Sequence, residues 1–76
     1  MKYEEELEMV KENRYALQFV KEQTPEICLK AVKKDGWALQ FVKEQTPEIC
    51  LEAVKQEIYA SKYIDEQHRN HILKNL

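Results

Sequence analysis

The sequence predicts an all-α protein, a short, solenoid-like stack of about six helices built on a 22-residue repeat. Lys and Glu dominate the polar residues and both favour helix, while only one Gly and two Pro are present. Two adjacent segments are also nearly identical. A two-helix unit of this length cannot bury its own apolar face, but stacking on its neighbours can. We therefore expect a single helical-repeat domain, residues 1–76.

The repeats define the internal organisation of this domain. Residues 15–36 and 37–58 are identical at 17 of 22 positions, with no gap between them. Residues 59–76 keep the apolar positions of these copies in a degenerate form, and residues 3–14 match the second half of an earlier copy. The chain is thus predicted to contain a half repeat, two full repeats and a decayed repeat.

Each full repeat is predicted to hold a short helix followed by a longer one. The boundary lies at Thr24-Pro25 and at Thr46-Pro47, because a residue before proline leaves the α region and proline suits the first helical position. Thr in this setting is a favourable N-cap.

The two full repeats differ at their ends. Asp35-Gly36 is predicted to stop the first long helix, with Gly36 in the left-handed conformation after the helix. Glu57-Ile58 replaces this pair, and both residues are compatible with helix. We therefore expect the helix from Pro47 to continue past Ile58 toward Ile64.

Composition and charge narrow the classes of partner. The formal net charge is −2 with both signs interspersed, and Arg14 and Arg69 are the only arginines. These features argue against direct nucleic-acid binding, which selects for a basic face. No apolar run approaches the ~20 residues that span a bilayer, and the N-terminus has no signal-peptide core. We expect a cytoplasmic protein from an AT-rich bacterium, or a phage-encoded one acting there.

The inventory of reactive side chains predicts no enzyme, no cofactor and no metal. Cys28 and Cys50 stand one repeat apart, too far to pair, and their apolar neighbours predict small buried core residues. His68 and His71 could share a metal, but the pattern specifies no third strong ligand, so surface histidines are the favoured interpretation.

Three repeated columns supply the candidate partner-binding residues. An aromatic column has one residue in each repeat, and two polar columns follow it in both full repeats. We expect the aromatic column to lie mainly in the core between repeats; the alternative is an exposed edge that anchors a partner. The candidates are Tyr15, Gln18, Lys21, Glu22, Trp37, Gln40, Lys43, Glu44 and Tyr59.

Charge alternates between segments. Residues 1–14 and 37–58 each sum to −2, and residues 15–36 and 59–76 each sum to +1. Such stripes suit a protein partner of mixed charge. A second hypothesis is a self-associating scaffold or homodimer, formed by exposed Ile72, Leu73 and Leu76 at the last repeat.

The repeat AL-x-FVKEQTPEICL-x-AVK, at residues 16–33 and 38–55, resembles the bacterial repeat family called domain of unknown function 4116. The resemblance implies helical repeats and brings no catalytic residues with it. By analogy with small acidic phage proteins, the most concrete expectation is a stoichiometric inhibitor of a host nuclease. An anti-CRISPR protein that acts on an RNA-guided nuclease or its ribonucleoprotein complex would be of this type. An engineered or truncated array with no function of its own is the remaining alternative.

Overall fold

The structure is a computed structural model that describes residues 2–74, and every described element in it is helical. Within residues 2–74, four α-helices alternate with three short 3-10 helices, which confirms the all-α class. The α-helices are α1 Tyr3–Glu12, α2 Pro25–Lys34, α3 Pro47–Gln56 and α4 Glu66–Lys74. The 3-10 helices are η1 Ala16–Phe19, η2 Gly36–Phe41 and η3 Ile58–Tyr63.

The predicted boundary at Thr-Pro is confirmed in both full repeats. Thr24 has extended backbone, and its Oγ1 accepts a hydrogen bond from the Ile27 N–H at 3.2 Å. Thr46 does the same with Ile49 at 3.2 Å, and in each case Pro occupies the start of the helix. These caps satisfy N–H groups that would otherwise have no partner within the helix.

The predicted continuation of the helix from Pro47 is wrong. α3 ends at Gln56, and Glu57 takes the same extended backbone that Asp35 takes after α2. The reason is that the Glu57 carboxylate, like that of Asp35, accepts a hydrogen bond from the N–H two residues later. This contact begins η3 and offsets the helix propensity of Glu.

The predicted left-handed conformation of Gly36 is also wrong, since no described residue has a positive φ. Gly36 is buried at the start of η2, directly beside the end of α3. A Cβ here would overlap the Ala53 carbonyl oxygen and would lie 2.9 Å from the Glu57 Cβ. Glycine is therefore needed for the close approach of two backbones.

The α-helices form one row and the 3-10 helices a second row beside it. Each α-helix packs on the next one along the chain, η1 packs on η2, and η2 packs on η3. The molecule is elongated, with extents of 38 × 19 × 15 Å, and the core lies between the two rows. It consists of Val10, Ala16, Leu17, Val20, Ile27, Cys28, Ala31, Val32, Ala38, Leu39, Val42, Ile49, Cys50, Ala53, Val54, Ala60, Ile64 and Ile72.

The apolar end predicted for self-association is only partly present. Ile72 is 2% exposed, which contradicts the expected exposed position, because α4 packs on α3 and directs this side chain into the core. Leu73 is 46% exposed, as expected, and Leu76 lies outside the described residues. None of the described helices has both the length and the apolar character that crossing a membrane requires.

Candidate protein-interaction surface

The start of each 3-10 helix is fixed by a side-chain cap. Asn13 Oδ1 accepts from the Tyr15 N–H at 2.8 Å, and Asp35 Oδ1 accepts from the Trp37 N–H at 3.0 Å. At the start of η3, Glu57 Oε1 accepts from the Tyr59 N–H at 3.2 Å. The residue held by each cap is the aromatic residue of the predicted column, so these caps place one ring at the same point of each repeat.

A second aromatic residue follows four positions later in each repeat. Together the six form what we call the aromatic band, carried by three short helices that pack side by side. All of them lie on these helices except Tyr15, the residue just before η1. The band consists of Tyr15, Phe19, Trp37, Phe41, Tyr59 and Tyr63.

Within the band, rings contact each other across repeats. Tyr15 packs edge-on against Phe41 with ring centroids 5.7 Å apart, and Trp37 packs edge-on against Tyr63 at 6.1 Å. In both pairs the first aromatic residue of one repeat meets the second aromatic residue of the next. Such edge contacts add about 0.5–1.5 kcal/mol per pair beyond the burial of area. The Lys62 ammonium lies over Trp37, 5.5 Å from the ring centroid.

The six aromatic residues of the band differ in how much of each side chain is exposed to solvent. Phe19 is 74% exposed, Tyr59 71% and Tyr15 54%, whereas Trp37 is half-buried. The expectation that the aromatic column lies mainly in the inter-repeat core is therefore wrong for Tyr15 and Tyr59. The alternative, an exposed edge, describes these two residues, since both are more than half exposed.

The predicted polar columns lie next to the band. Gln18 and Gln40 are exposed on η1 and η2, and Gln40 Nε2 donates to the Trp37 carbonyl oxygen at 3.1 Å. The remaining four candidates are exposed in the loops that follow η1 and η2. These are Lys21, Glu22, Lys43 and Glu44.

Two glutamines that the sequence analysis missed join neighbouring repeats. Gln23 Nε2 donates to the Phe41 carbonyl oxygen at 2.9 Å, and its Oε1 accepts from the Lys43 N–H at 2.8 Å. Gln45 repeats this arrangement with the Tyr63 carbonyl at 2.7 Å and the Asp65 N–H at 2.8 Å. The available signal was a glutamine directly before each Thr-Pro pair, at the same position of both repeats.

A groove of about 440 Å³ opens at the first repeat. Tyr3, Glu6 and Met9 of α1 form one wall, and the segment from Phe19 to Thr24 contributes the other. Tyr3 closes one edge, because its hydroxyl lies 2.7 Å from Thr24 Oγ1 and donates to Glu26 Oε1 at 2.7 Å. The groove thus places the most exposed ring of the band beside an acidic and apolar wall.

The thiols lie in the core, as predicted. Burial raises the pKa of the Cys28 thiol to about 11, and burial together with the Asp65 carboxylate raises that of Cys50 to about 11. A protonated, buried thiol is a poor nucleophile. His68, one of the two histidines considered as metal ligands, places its Nε2 3.1 Å from the Gln45 carbonyl oxygen. Across residues 2–74, no group of three or more His, Cys, Asp or Glu is placed to hold a metal ion.

The described residues form an all-α fold in which short and long helices alternate, and a comparison of the sequence with protein families identifies its family. The model of the family described as Domain of unknown function (DUF4116) matches residues 6–45 and 24–69. The chain belongs to this family. The two matches overlap, as expected for a tandem repeat. Searches of the curated proteins and of the solved structures find no significant match.

Proposed function

We propose that this chain is a non-catalytic protein-binding module that docks on its partner through the aromatic band. The observation that carries the proposal is the exposure of Tyr15, Phe19 and Tyr59 on capped, packed helices. Tyr and other aromatic residues dominate the energetics of interfaces, since they bury a large area at low cost in side-chain entropy. The caps fix the backbone that carries Tyr15 and Tyr59 before binding, so less backbone freedom is lost on association.

The charge around the band supports a protein partner. Lys21, Glu22, Lys43 and Glu44 present both signs beside the rings, and the whole chain sums to −2. A partner of mixed charge meets such a rim more favourably than a uniformly anionic nucleic acid does. The most concrete partner class is a host nuclease, in particular an RNA-guided nuclease with its bound guide, which the chain would inhibit stoichiometrically.

The test compares capture by three tagged proteins from a lysate of an AT-rich bacterium. The wild type and Lys55→Ala should capture the same partner, because Lys55 is exposed on α3, away from the band. The double variant Tyr15→Ala/Tyr59→Ala should lose it, with a dissociation constant raised about tenfold or more. Circular dichroism of each variant confirms that the helices are intact.

Purified components then identify the activity. Addition of the protein to an RNA-guided nuclease complex should lower DNA cleavage in a 1:1 ratio, and the double variant should restore cleavage. Equal capture by the wild type and the double variant would show that the band is not the binding surface. A purified complex that neither binds the protein nor changes in activity would refute the inhibitor hypothesis.

A further inference from the structure

The interface between neighbouring repeats has an inserting side and a receiving side. On the inserting side stands the first aromatic residue of a repeat, Tyr15 or Trp37. On the receiving side stands the second aromatic residue of the next repeat, Phe41 or Tyr63. A glutamine of the inserting repeat adds hydrogen bonds to the backbone of the receiving one. The same interface is therefore used twice within the chain.

The first repeat presents a receiving side that no described residue covers. Phe19 occupies the position of Phe41 and Tyr63, and it is 74% exposed beside the 440 Å³ groove. Within residues 2–74 no hydrogen bond reaches the Phe19 carbonyl oxygen or leaves the Lys21 N–H. These are the groups that the glutamines bind in the two later repeats.

The last repeat presents the matching inserting side. Tyr59 occupies the position of Tyr15 and Trp37, and it is 71% exposed, with Ile58 beside it 53% exposed. Gln67 stands at the position of Gln45 and is exposed, but it lies in the first turn of α4 and not in a loop. The last repeat can therefore reproduce the ring contact of the internal repeat interface through Tyr59, but not the glutamine hydrogen bonds.

Charge favours a contact between the two ends. Residues 1–14 sum to −2, and Glu6 of this segment lines the groove. Residues 59–76 sum to +1 and carry Arg69 and Lys74 on α4. Opposite net charges at the two ends steer one copy toward the other in the head-to-tail orientation and disfavour pairing of like ends.

We propose that the groove at the first repeat receives the last repeat of a second copy of this chain, with Tyr59 of one copy packed on Phe19 of the other. The contact continues the internal repeat interface and places complementary charges together. It is heterologous, so each bound copy leaves one further end available and association proceeds along an open chain. The proposal stands independently of a partner from the host.

The test measures the mass of the protein alone by sedimentation across concentrations up to about 1 mM, where contacts of millimolar affinity become visible. The wild type should pass from the 9.1 kDa monomer to a series of larger species. Phe19→Ala and Tyr59→Ala should each remain monomeric, because each lacks one half of the contact. Their association constants should fall about tenfold or more.

A mixture of the two variants gives the decisive result. Phe19→Ala keeps an intact Tyr59 and Tyr59→Ala keeps an intact Phe19, so the mixture should form a 1:1 heterodimer and nothing larger. Lys55→Ala serves as the control, since Lys55 is exposed on α3, which lies at neither end of the row, and it should associate like the wild type. A monomeric wild type throughout, a mixture without heterodimer, or a loss of association in Lys55→Ala would each overturn the proposal.

Discussion

Substitution of Gly36 tests the way in which neighbouring repeats fit together. Gly36 begins η2, and a Cβ added to it would overlap the Ala53 carbonyl oxygen at the end of α3. The same Cβ would lie 2.9 Å from the Glu57 Cβ and 3.1 Å from the Glu57 nitrogen. Two of these three atoms belong to the backbone, so no rotation of a side chain relieves the overlap. Gly36→Ala must separate η2 from α3.

The expected loss of stability in Gly36→Ala follows from overpacking in a small domain. Insertion of a methyl group into a well-packed site costs about 1–3 kcal/mol. Replacement of glycine by alanine returns about 0.4–1 kcal/mol through the unfolded chain, because φ at Gly36 is not positive and alanine can adopt it. We expect a net loss of about 1–2 kcal/mol, a large fraction of the ~3–5 kcal/mol that a core of this size supplies.

Thermal and urea unfolding followed by circular dichroism measure this loss. A loss of 1 kcal/mol lowers Tm by about 4–8 °C in a domain of this size. Ile58→Ala is the matched control, since Ile58 occupies the equivalent position of the next repeat and is 53% exposed. It should change stability by less than about 0.5 kcal/mol.

The variant Gly36→Asn distinguishes the two explanations for this glycine. A left-handed conformation would tolerate asparagine better than alanine, because asparagine enters that region more readily. A close backbone approach excludes both, and the larger asparagine should be at least as destabilising as alanine. Gly36→Ala with the stability of the wild type, or Gly36→Asn clearly more stable than Gly36→Ala, would refute the packing explanation.

Two further predictions concern the hydrogen bonds of Gln45 to the last repeat, one part-buried and one exposed, and the thiols. Gln45→Ala removes the partners of the Tyr63 carbonyl and the Asp65 N–H, and it should lower the free energy of unfolding by about 0.5–1.5 kcal/mol in urea titrations; an unchanged midpoint would contradict this. The raised pKa of Cys28 and Cys50, about 11 in both, keeps these thiols protonated in the folded state after the unfolded chain begins to ionise near pH 9. Stability should therefore be retained below pH 9 and fall above it, toward pH 11, by up to about 1.4 kcal/mol per pH unit for each thiol. A double Cys→Ala variant that loses stability with the same slope would show that other groups cause the fall.

The features that the sequence predicted correctly depend on short-range rules. The Thr-Pro boundaries at 24–25 and 46–47 follow from the steric limits of proline and from side-chain capping, both of which act within four residues. The burial of Cys28 and Cys50 follows from their place in an apolar helical stripe. The long helices were predictable because such rules do not require knowledge of the neighbouring repeat.

The features that were missed depend on contacts between repeats. Asp35-Gly36 does end α2, but the expected left-handed conformation of Gly36 is absent, and the need for glycine is set by the Ala53 carbonyl, 17 positions later. The hydrogen bonds of Gln23 and Gln45 join groups 18 and 20 residues apart. Glu57 is a different case: a local cap overrode its helix propensity, and the parallel with Asp35 was the signal.

The repeats are nearly identical in sequence, but their surfaces are not equivalent. Some rings of the aromatic band pack against a neighbouring repeat, and others do not. Trp37 and Phe41 both have ring partners, whereas Phe19 and Tyr59 have none among the described residues. Substitutions at the paired, half-buried rings should therefore change mainly stability, and substitutions at the unpaired rings mainly association. Tyr15 is paired with Phe41 but 54% exposed, so its substitution should change both. Since the unpaired rings stand at opposite ends of the row, a partner that covers either one also competes with the proposed second copy. Binding to a partner and self-association are linked through the same two side chains.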